Sequence, residues 1–528
     1  MSMSASISVA NLSWSSPDGH PVLSDLSLSF QPERTGVVGR NGVGKTTLLK
    51  LLTGELQPSK GRIAVTGRIG TLRQIVQHSP EETVADLLGV ASGLEALRRA
   101  EAGVATAEEL ADTDWTLDAR AAEALVQVGL DVPLEASLAR LSGGQRTRAA
   151  LAGVVFAQPD FLLLDEPTND LDREGRGLVH ALLQGWRGGA VVVSHDRELL
   201  EAMDAIVELT TLGASRYGGN WSAYRVRKEL ELTAAERDFA AAERRMGEVA
   251  RRAQQAIERK ARRDAAGSRK AGRGDQPRIL LGARRNRAEK SGGENVRLAD
   301  RQRTEAGRVY GLAKEQIERI ETLIADLAQT GLAPSQRVLD VEAVRFGYAS
   351  DHAILQSTSL SITGPERVAI TGPNGSGKST LLGIVAGQFA PWSGRVTVHV
   401  PFALFDQSVS ILDAGATIAE NFARLNPGVG ENGCRAALAR FQFRAEAANQ
   451  SVGALSGGQI LRAGLACVLG GPNPPRLLIL DEPTNHLDIE SVAAVEAGLL
   501  AHDGALLVVS HDETFLDAIG VTRRIVLV

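Results

Sequence analysis

Apolar residues fall in short unbroken runs of strand length. Phe161–Leu164 and Ala505–Val509 are the clearest. FLLLDEP and LLILDEP each read as a buried parallel strand ending in two carboxylates. Thr35–Val38 and Val368–Thr371 read as strands that run into glycine-rich loops, and Ala190–Ser194 and Leu506–Ser510 as strands followed by a histidine. Helical periods follow at Thr47–Leu52 and in RTRAALAGVV and ILRAGLACVL. Strands alternating with helices predict an α/β fold. Two further stretches are purely helical in pattern. Arg225–Arg263 is rich in Ala, Glu, Arg and Gln without proline, and Leu312–Leu327 repeats Leu312, Ile317, Ile320, Leu323, Ile324 and Leu327. Their apolar stripes predict that they pair as a hairpin. The glycine- and proline-broken GSRKAGRGDQPRILLGARRNRAEKSGG between them is its exposed tip.

The pattern occurs twice. Ile7–Leu23 aligns without gaps on Leu339–Leu355, and GRNGVGKTT (Gly39–Thr47) recurs as GPNGSGKST (Gly372–Thr380). LSGGQ, LLLDEPTNDLD and VVSHD recur as LSGGQ, LILDEPTNHLD and VVSHD. Spacing is kept as well: Lys45 to Gln74 and Lys378 to Gln407 are both 29 positions, and Asp165 to His195 and Asp481 to His511 both 30. The chain is therefore expected to contain two copies of one domain, at 4–224 and 337–528, joined by a charged helical segment, 225–334. Gln74 to Ser142 is 68 positions against 49 for Gln407 to Ser456. The surplus of about 19 is expected as a small helical insertion within Ala91–Arg120.

Composition changes this picture in three ways. With 528 residues, 43% of them hydrophobic, the chain is long enough for several cores. The two cysteines, Cys434 and Cys467, exclude a disulfide framework and thiolate-rich metal modules. The net charge of −5 hides a segregation: 225–334 carries 26 basic and 17 acidic residues, and the basic excess peaks at Arg259–Arg303. No apolar run approaches the roughly 20 residues that span a bilayer, and the first residues lack the blocks of a signal peptide. The expected location is cytoplasmic.

The chemistry lies in the repeated words. G-x-x-x-x-G-K-[ST] after a strand is a phosphate-binding loop. Gly39, Gly42 and Gly44, and Gly372, Gly375 and Gly377, leave backbone N–H groups unobstructed around phosphate oxygens, with Asn41 and Asn374 inside the loops. The following helices start at Thr47 and Thr380 and add their dipoles. Lys45 and Lys378 reach the β and γ phosphates, and Thr46 and Ser379 supply a hydroxyl to Mg²⁺. Asp165 and Asp481 suit the same cation, while Glu166 and Glu482 can polarise an attacking water. His195 and His511 are expected at the γ phosphate, and Gln74 and Gln407, at matching offsets, at the metal. Ser142, Gly143, Gly144 and Gln145, with Ser456, Gly457, Gly458 and Gln459, open helices with a bare backbone. These are second anion sites about 100 residues from their own loops, so each suits a phosphate held by the other copy.

With these motifs the chain resembles the ATP-binding cassette superfamily over both repeats. The resemblance implies a head-to-tail sandwich with two ATPs, one between Lys45, Asp165, Glu166 and Ser456, Gly458, the other between Lys378, Asp481, Glu482 and Ser142, Gly144. It also implies an aromatic on adenine: Trp14 in the first copy, and Phe346 or Tyr348 in the second. Every catalytic residue type is present twice, so two hydrolysing sites in an intramolecular cassette dimer, a monomeric chain, are expected. Asp170 stands where the second copy has His486.

The tandem cassettes, the TNHLD wording and the long basic linker most resemble the F subfamily. That implies an α/β chain with two P-loop cassettes joined by a long basic α-helical hairpin. It implies action on the ribosome, touching rRNA and tRNA through 259–303, as a translation factor or an antibiotic-protection protein. The alternative is a cytoplasmic ATPase subunit energising a membrane transporter whose spans are encoded separately. Such tandem subunits lack the basic linker and typically have one altered signature motif. A DNA-repair cassette protein would carry zinc cysteines or a coiled coil after the second cassette, whereas 17 residues follow His511.

Overall fold

The computed structural model describes residues 5–72, 82–169, 171–211, 213–271, 304, 305, 307, 308, 327–349 and 352–527. The chain divides into two units, Met1–Tyr224 with Leu323–Val528, and Arg225–Thr322.

In the first unit each repeat folds into two sheets. The central sheet of the first repeat runs Ile69–Thr71, Phe161–Asp165, Gly189–Val193, Arg34–Val38, Ala205–Thr210, Gly213–Gly218. Its neighbours are parallel except for the last pair. The second repeat orders Phe402–Phe405, Leu477–Asp481, Ala505–Val509, Arg367–Thr371, Arg523–Val526, all parallel. The runs read as buried strands are buried on both faces, which is why they do not alternate with polar residues. Val191 and Val193 pack with the P-loop helix, while Ala190 and Val192 pack with the helices on the opposite face. Beside each central sheet lies a three-stranded antiparallel sheet, Pro21–Phe30, Ser6–Ser15, Lys60–Thr66 and Leu355–Thr363, Arg337–Phe346, Ser393–Val398.

The stretch expected to hold the insertion forms helices at Ala91–Glu101 and Ala107–Asp112, followed by Leu117–Gln127. Residues before the second repeat belong with it. Leu327 packs on its core, Thr330 N donates to Asp503 Oδ1 at 2.9 Å, and Arg476 Nε donates to the Thr330 carbonyl at 3.1 Å.

In the second unit the first helical flank is continuous and belongs to a helix that runs Trp221–Ala271, longer at both ends than the sequence pattern indicates. It starts early because Asn220 Oδ1 accepts from Ala223 N at 3.1 Å, and because Trp221 and Tyr224 are buried, 5.2 Å apart by ring centroid. The expected tip and nearly all of the returning helix, Leu312–Leu327, lie outside the described residues, as do Gln74 and Asp170. Among the described residues no helix is long and apolar enough to cross a membrane.

Candidate ATP sites

Each phosphate loop leaves its strand through a backbone that excludes side chains. Gly39 has φ 153° and Gly372 φ 146°. A Cβ there would sit 2.3 Å from the Leu209 carbonyl oxygen, or 2.2 Å from that of Leu527. Gly44 and Gly377 take left-handed conformations and cap the helices Lys45–Leu52 and Lys378–Val385. Lys45 and Lys378 are buried, 7% exposed each, and fold back over their loops. Lys45 Nζ donates to the carbonyls of Gly39 at 2.7 Å and Arg40 at 3.1 Å; Lys378 Nζ donates to those of Gly372 at 2.8 Å and Pro373 at 2.9 Å. Burial lowers both ammonium groups from their ordinary value, against the pull of Glu166 and Glu482 respectively.

Parallel pairing sets the next group of residues. Asp165 pairs with Val193 and Asp481 with Val509, so each carboxylate pair ends beside the histidine that follows the neighbouring strand. Ser379 Oγ donates to Asp481 Oδ1 at 3.1 Å, and Asp165 takes a hydrogen bond from Thr46. Glu166 and Glu482 adopt left-handed φ of 46° and 47°, an unfavourable state for a non-glycine residue. Their amides donate to Val193 and Val509 at 2.9 Å, fixing the turn. Glu166 Oε1 lies 3.3 Å from His195 Nε2, and Glu482 Oε1 lies 3.5 Å from His511 Nε2.

Burial raises the Glu166 carboxyl to about 8 and the Glu482 carboxyl to about 7, and lowers His195 to about 3 and His511 to about 4. Each histidine is therefore a neutral imidazole at neutral pH. At 3.5 Å the Glu482–His511 approach is too long to satisfy either group. Both Glu482 oxygens and His511 Nε2 lack a hydrogen-bond partner among the described residues.

Two cavities, of about 300 and 240 Å³, collect these residues. The larger is lined by Tyr348, Lys378, Ser379, Gln407, Glu482 and His511, among others. The smaller is lined by Thr46, Asp165, Glu166 and His195, together with Thr484 to Leu487 of the other repeat. Of the two aromatic candidates in the second repeat, Phe346 is 8% exposed and Tyr348 66%. Phe346 packs between Tyr348, Phe389 and Trp392, with Tyr348 edge-on at 5.4 Å. Trp14 is half-buried against the core of its own repeat.

Across the repeats, each phosphate loop meets the segment that follows the other repeat's DEPTN motif. Asn41 N donates to Asp488 Oδ2 at 2.8 Å, Asn41 Nδ2 to the His486 carbonyl at 2.9 Å, and Asn374 N to Asp172 Oδ2 at 3.4 Å. Arg40 meets Glu490 at 2.5 Å. The sequence pattern did not single out Asp172 and Asp488. Their signal was present, since each closes the repeated words DEPTNDLD and DEPTNHLD. Ser142 and Ser456 cap their own helices through capping boxes with Gln145 and Gln459. Gly458 lies against Ser491, whose Oγ a Cβ there would meet at 2.3 Å. The hydrogen-bond partners that the loop amides of Asn41 and Asn374 find in the other repeat are Asp488 and Asp172.

The family model described as ABC transporter matches residues 23–169 and 355–485, over half of the chain and both repeats. The chain is an ATP-binding cassette protein of the F subfamily. As a cassette ATPase it binds and hydrolyses ATP. It is 36% identical to the tylosin resistance ATP-binding protein TlrC of Streptomyces fradiae, over 94% of this chain and 92% of that one. It is 33% identical to the energy-dependent translational throttle protein EttA of Escherichia coli K12 (95% and 89%), and 32% identical to the ATP-binding protein Uup of the same strain (96% and 78%). In fold it is similar to the RNase-L inhibitor, with a TM-score of 0.59 at 18% identity, covering 98% of this chain and 87% of that one.

Among the described residues no group of three or more His, Cys, Asp or Glu is arranged to hold a metal. A Mg²⁺ bound through phosphates needs fewer protein ligands, and the hydroxyl–carboxylate pairs Ser379–Asp481 and Thr46–Asp165 fit that demand.

Proposed function

We propose that this cassette ATPase acts on the ribosome, as a translation factor or as a protein that protects ribosomes from an antibiotic, and that ATP drives its two cassettes together. The observation that carries the reading is similarity over nearly the whole length, linker included, to two proteins named for tylosin resistance and translational throttling. The transporter-energising alternative draws no comparable full-length support from the relatives named above.

In this reading Lys45 and Lys378 bind the phosphates, and the loop amides cradle them. Thr46 and Asp165, or Ser379 and Asp481, joined by Gln74 and Gln407, would hold a Mg²⁺ that supplies positive charge to the β and γ phosphates. Glu166 and Glu482 orient and polarise the attacking water, and take its proton only in the carboxylate form that nearby positive charge favours over burial. His195 and His511, neutral and buried, hydrogen-bond the γ phosphate. Tyr348 stacks on adenine in the second site. ATP favours closure only by as much as the closed form binds it better than the open form.

The basic linker meets rRNA or tRNA through phosphate contacts. Arg259–Ala271 alone carries Arg259, Lys260, Arg262, Arg263, Arg269 and Lys270 against Asp264.

The test is the pair of substitutions Glu166→Gln and Glu482→Gln in one chain. With ATP this variant is expected to co-sediment with ribosomes, and added salt to weaken the association. Sedimentation free of ribosomes at low salt with saturating ATP overturns the ribosomal reading while leaving the ATPase intact.

A further inference from the structure

The two ATP sites use matching residues, yet their surroundings differ at several aligned positions, and one of these brings a charge to only one of them. Superposing the DEPTN words pairs Asp172 with Asp488 and Arg176 with Val492. Arg176 sits on the helix Arg173–Gly185 with its side chain 17% exposed. Its Nε donates to the Leu171 carbonyl at 3.3 Å, and Nη1 lies 3.4 Å from Asp196 Oδ2. Held by these two contacts, the guanidinium of the first cassette lines the second cassette's cavity, with Lys378, Glu482 and His511. Among the charges acting on Glu482 and on His511 it is prominent, whereas Lys45 leads those on Glu166 and His195. Arg176 also borders the first cavity, but there it faces the Asp196 carboxylate. The aligned Val492 is 4% exposed and offers the first cavity a methyl surface.

A triphosphate differs from a diphosphate by a terminal group whose charge needs cations. A guanidinium with remaining N–H donors binds such a group through charge-assisted hydrogen bonds; an isopropyl group does not. We propose that Arg176 is an anion-binding residue of the second ATP site, supplied by the first cassette, and that it makes the two sites unequal. The site built on Lys378 and Glu482 holds ATP more tightly than the site built on Lys45 and Glu166. The inference rests on the site assignments of the proposed function.

The test measures Mg-ATP binding by calorimetry in the full-length chain carrying Glu166→Gln and Glu482→Gln. Adding Lys45→Ala leaves the second site to be read, and adding Lys378→Ala leaves the first. Arg176→Gln is expected to weaken ATP by about tenfold or more at the second site and by less than about twofold at the first, the size of one charge-assisted hydrogen bond. Arg176→Lys should restore most of the loss, which a purely structural role would not require. Equal weakening at both sites, or none at the second, overturns the inference. If Lys45→Ala and Lys378→Ala do not each remove one binding event, the site assignment itself fails and this inference falls with it.

Discussion

Asp488 holds its own helix and its sibling's phosphate loop with one carboxylate. Oδ1 accepts from Ser491 N at 2.8 Å, capping the helix Ile489–Ala501, and Oδ2 accepts from Asn41 N at 2.8 Å. Burial raises this carboxyl, but the hydrogen bonds from Ser491 and Asn41 outweigh it and hold Asp488 below the usual carboxylate range. Asp172 repeats the arrangement with Gly175 N at 3.0 Å and Asn374 N at 3.4 Å. The glycine-rich loop of one cassette is thus registered by the helix start of the other.

Asp488→Ala removes a helix cap worth about 1 kcal/mol and an inter-cassette hydrogen bond. It is expected to lower ATP turnover more than Asp172→Ala, whose cross-cassette contact is longer. Steady-state phosphate release, set beside thermal unfolding of both variants, checks this. Turnover of both variants equal to that of the unaltered protein would show that the loop contact contributes nothing.

Arg197 and Glu496 join the cassettes through a bidentate pair at 2.7 and 3.2 Å, with side chains 11% and 12% exposed. Removing one partner takes the bidentate counter-ion from the other, largely buried, charge. Arg197→Met or Glu496→Gln should each destabilise by about 3–5 kcal/mol, and the double change Arg197→Met with Glu496→Met by less than either alone. Urea unfolding of the three variants decides between a net attraction and a mere absence of stranded charge.

Tyr348 and Phe346 separate by burial into an exposed ring and a core residue. Tyr348→Ala is expected to weaken ATP binding at the second site by about 1 kcal/mol with little change in unfolding temperature. Phe346→Ala should cost about 3–5 kcal/mol of stability. The Tyr348 hydroxyl lies 3.0 Å from Thr380 Oγ1, so Tyr348→Phe tests the ring apart from that contact. Loss of affinity in Phe346→Ala without loss of stability would reverse the assignment.

His502 gives the fold an acid-sensitive point. It is 2% exposed, and burial lowers its pKa to about 4, partly offset by Asp503 and reinforced by Arg367. Its Nε2 has no hydrogen-bond partner among the described residues. The folded pKa is below the unfolded one, so the unfolded chain takes the proton first. The stability that His502 contributes is complete above about pH 6.5 and falls as pH drops toward about 4, by about 1.4 kcal/mol per pH unit at most. His502→Gln should flatten the stability curve across that window relative to wild type, as read by urea midpoints at pH 7, 6 and 5. Parallel curves for the two proteins would remove His502 from the account.

The nucleotide residues were legible because they are local. A phosphate loop needs glycines, a lysine and a hydroxyl within nine positions, and a buried strand must be apolar to its last residue before it can present Asp165 and Glu166. Repetition of those words at fixed spacing marked Lys378, Asp481 and Glu482 as well. Burial was not legible where two aromatics lay two positions apart: the strand ends at Phe346, which packs against Phe389 and Trp392 and is buried, while Tyr348 lies beyond the strand and is exposed.

Local pattern was enough for the two α/β cassettes and the sign of the linker's charge, since each follows from period, spacing or composition along one stretch of chain. Tertiary structure is what brings residues of the two repeats together. Asn41 and Asp488 are 447 positions apart, and Arg176 lines one cavity with Glu482 from more than half the chain away. Such contacts arise from how two folded bodies face each other, and no local rule of propensity or patterning encodes that geometry.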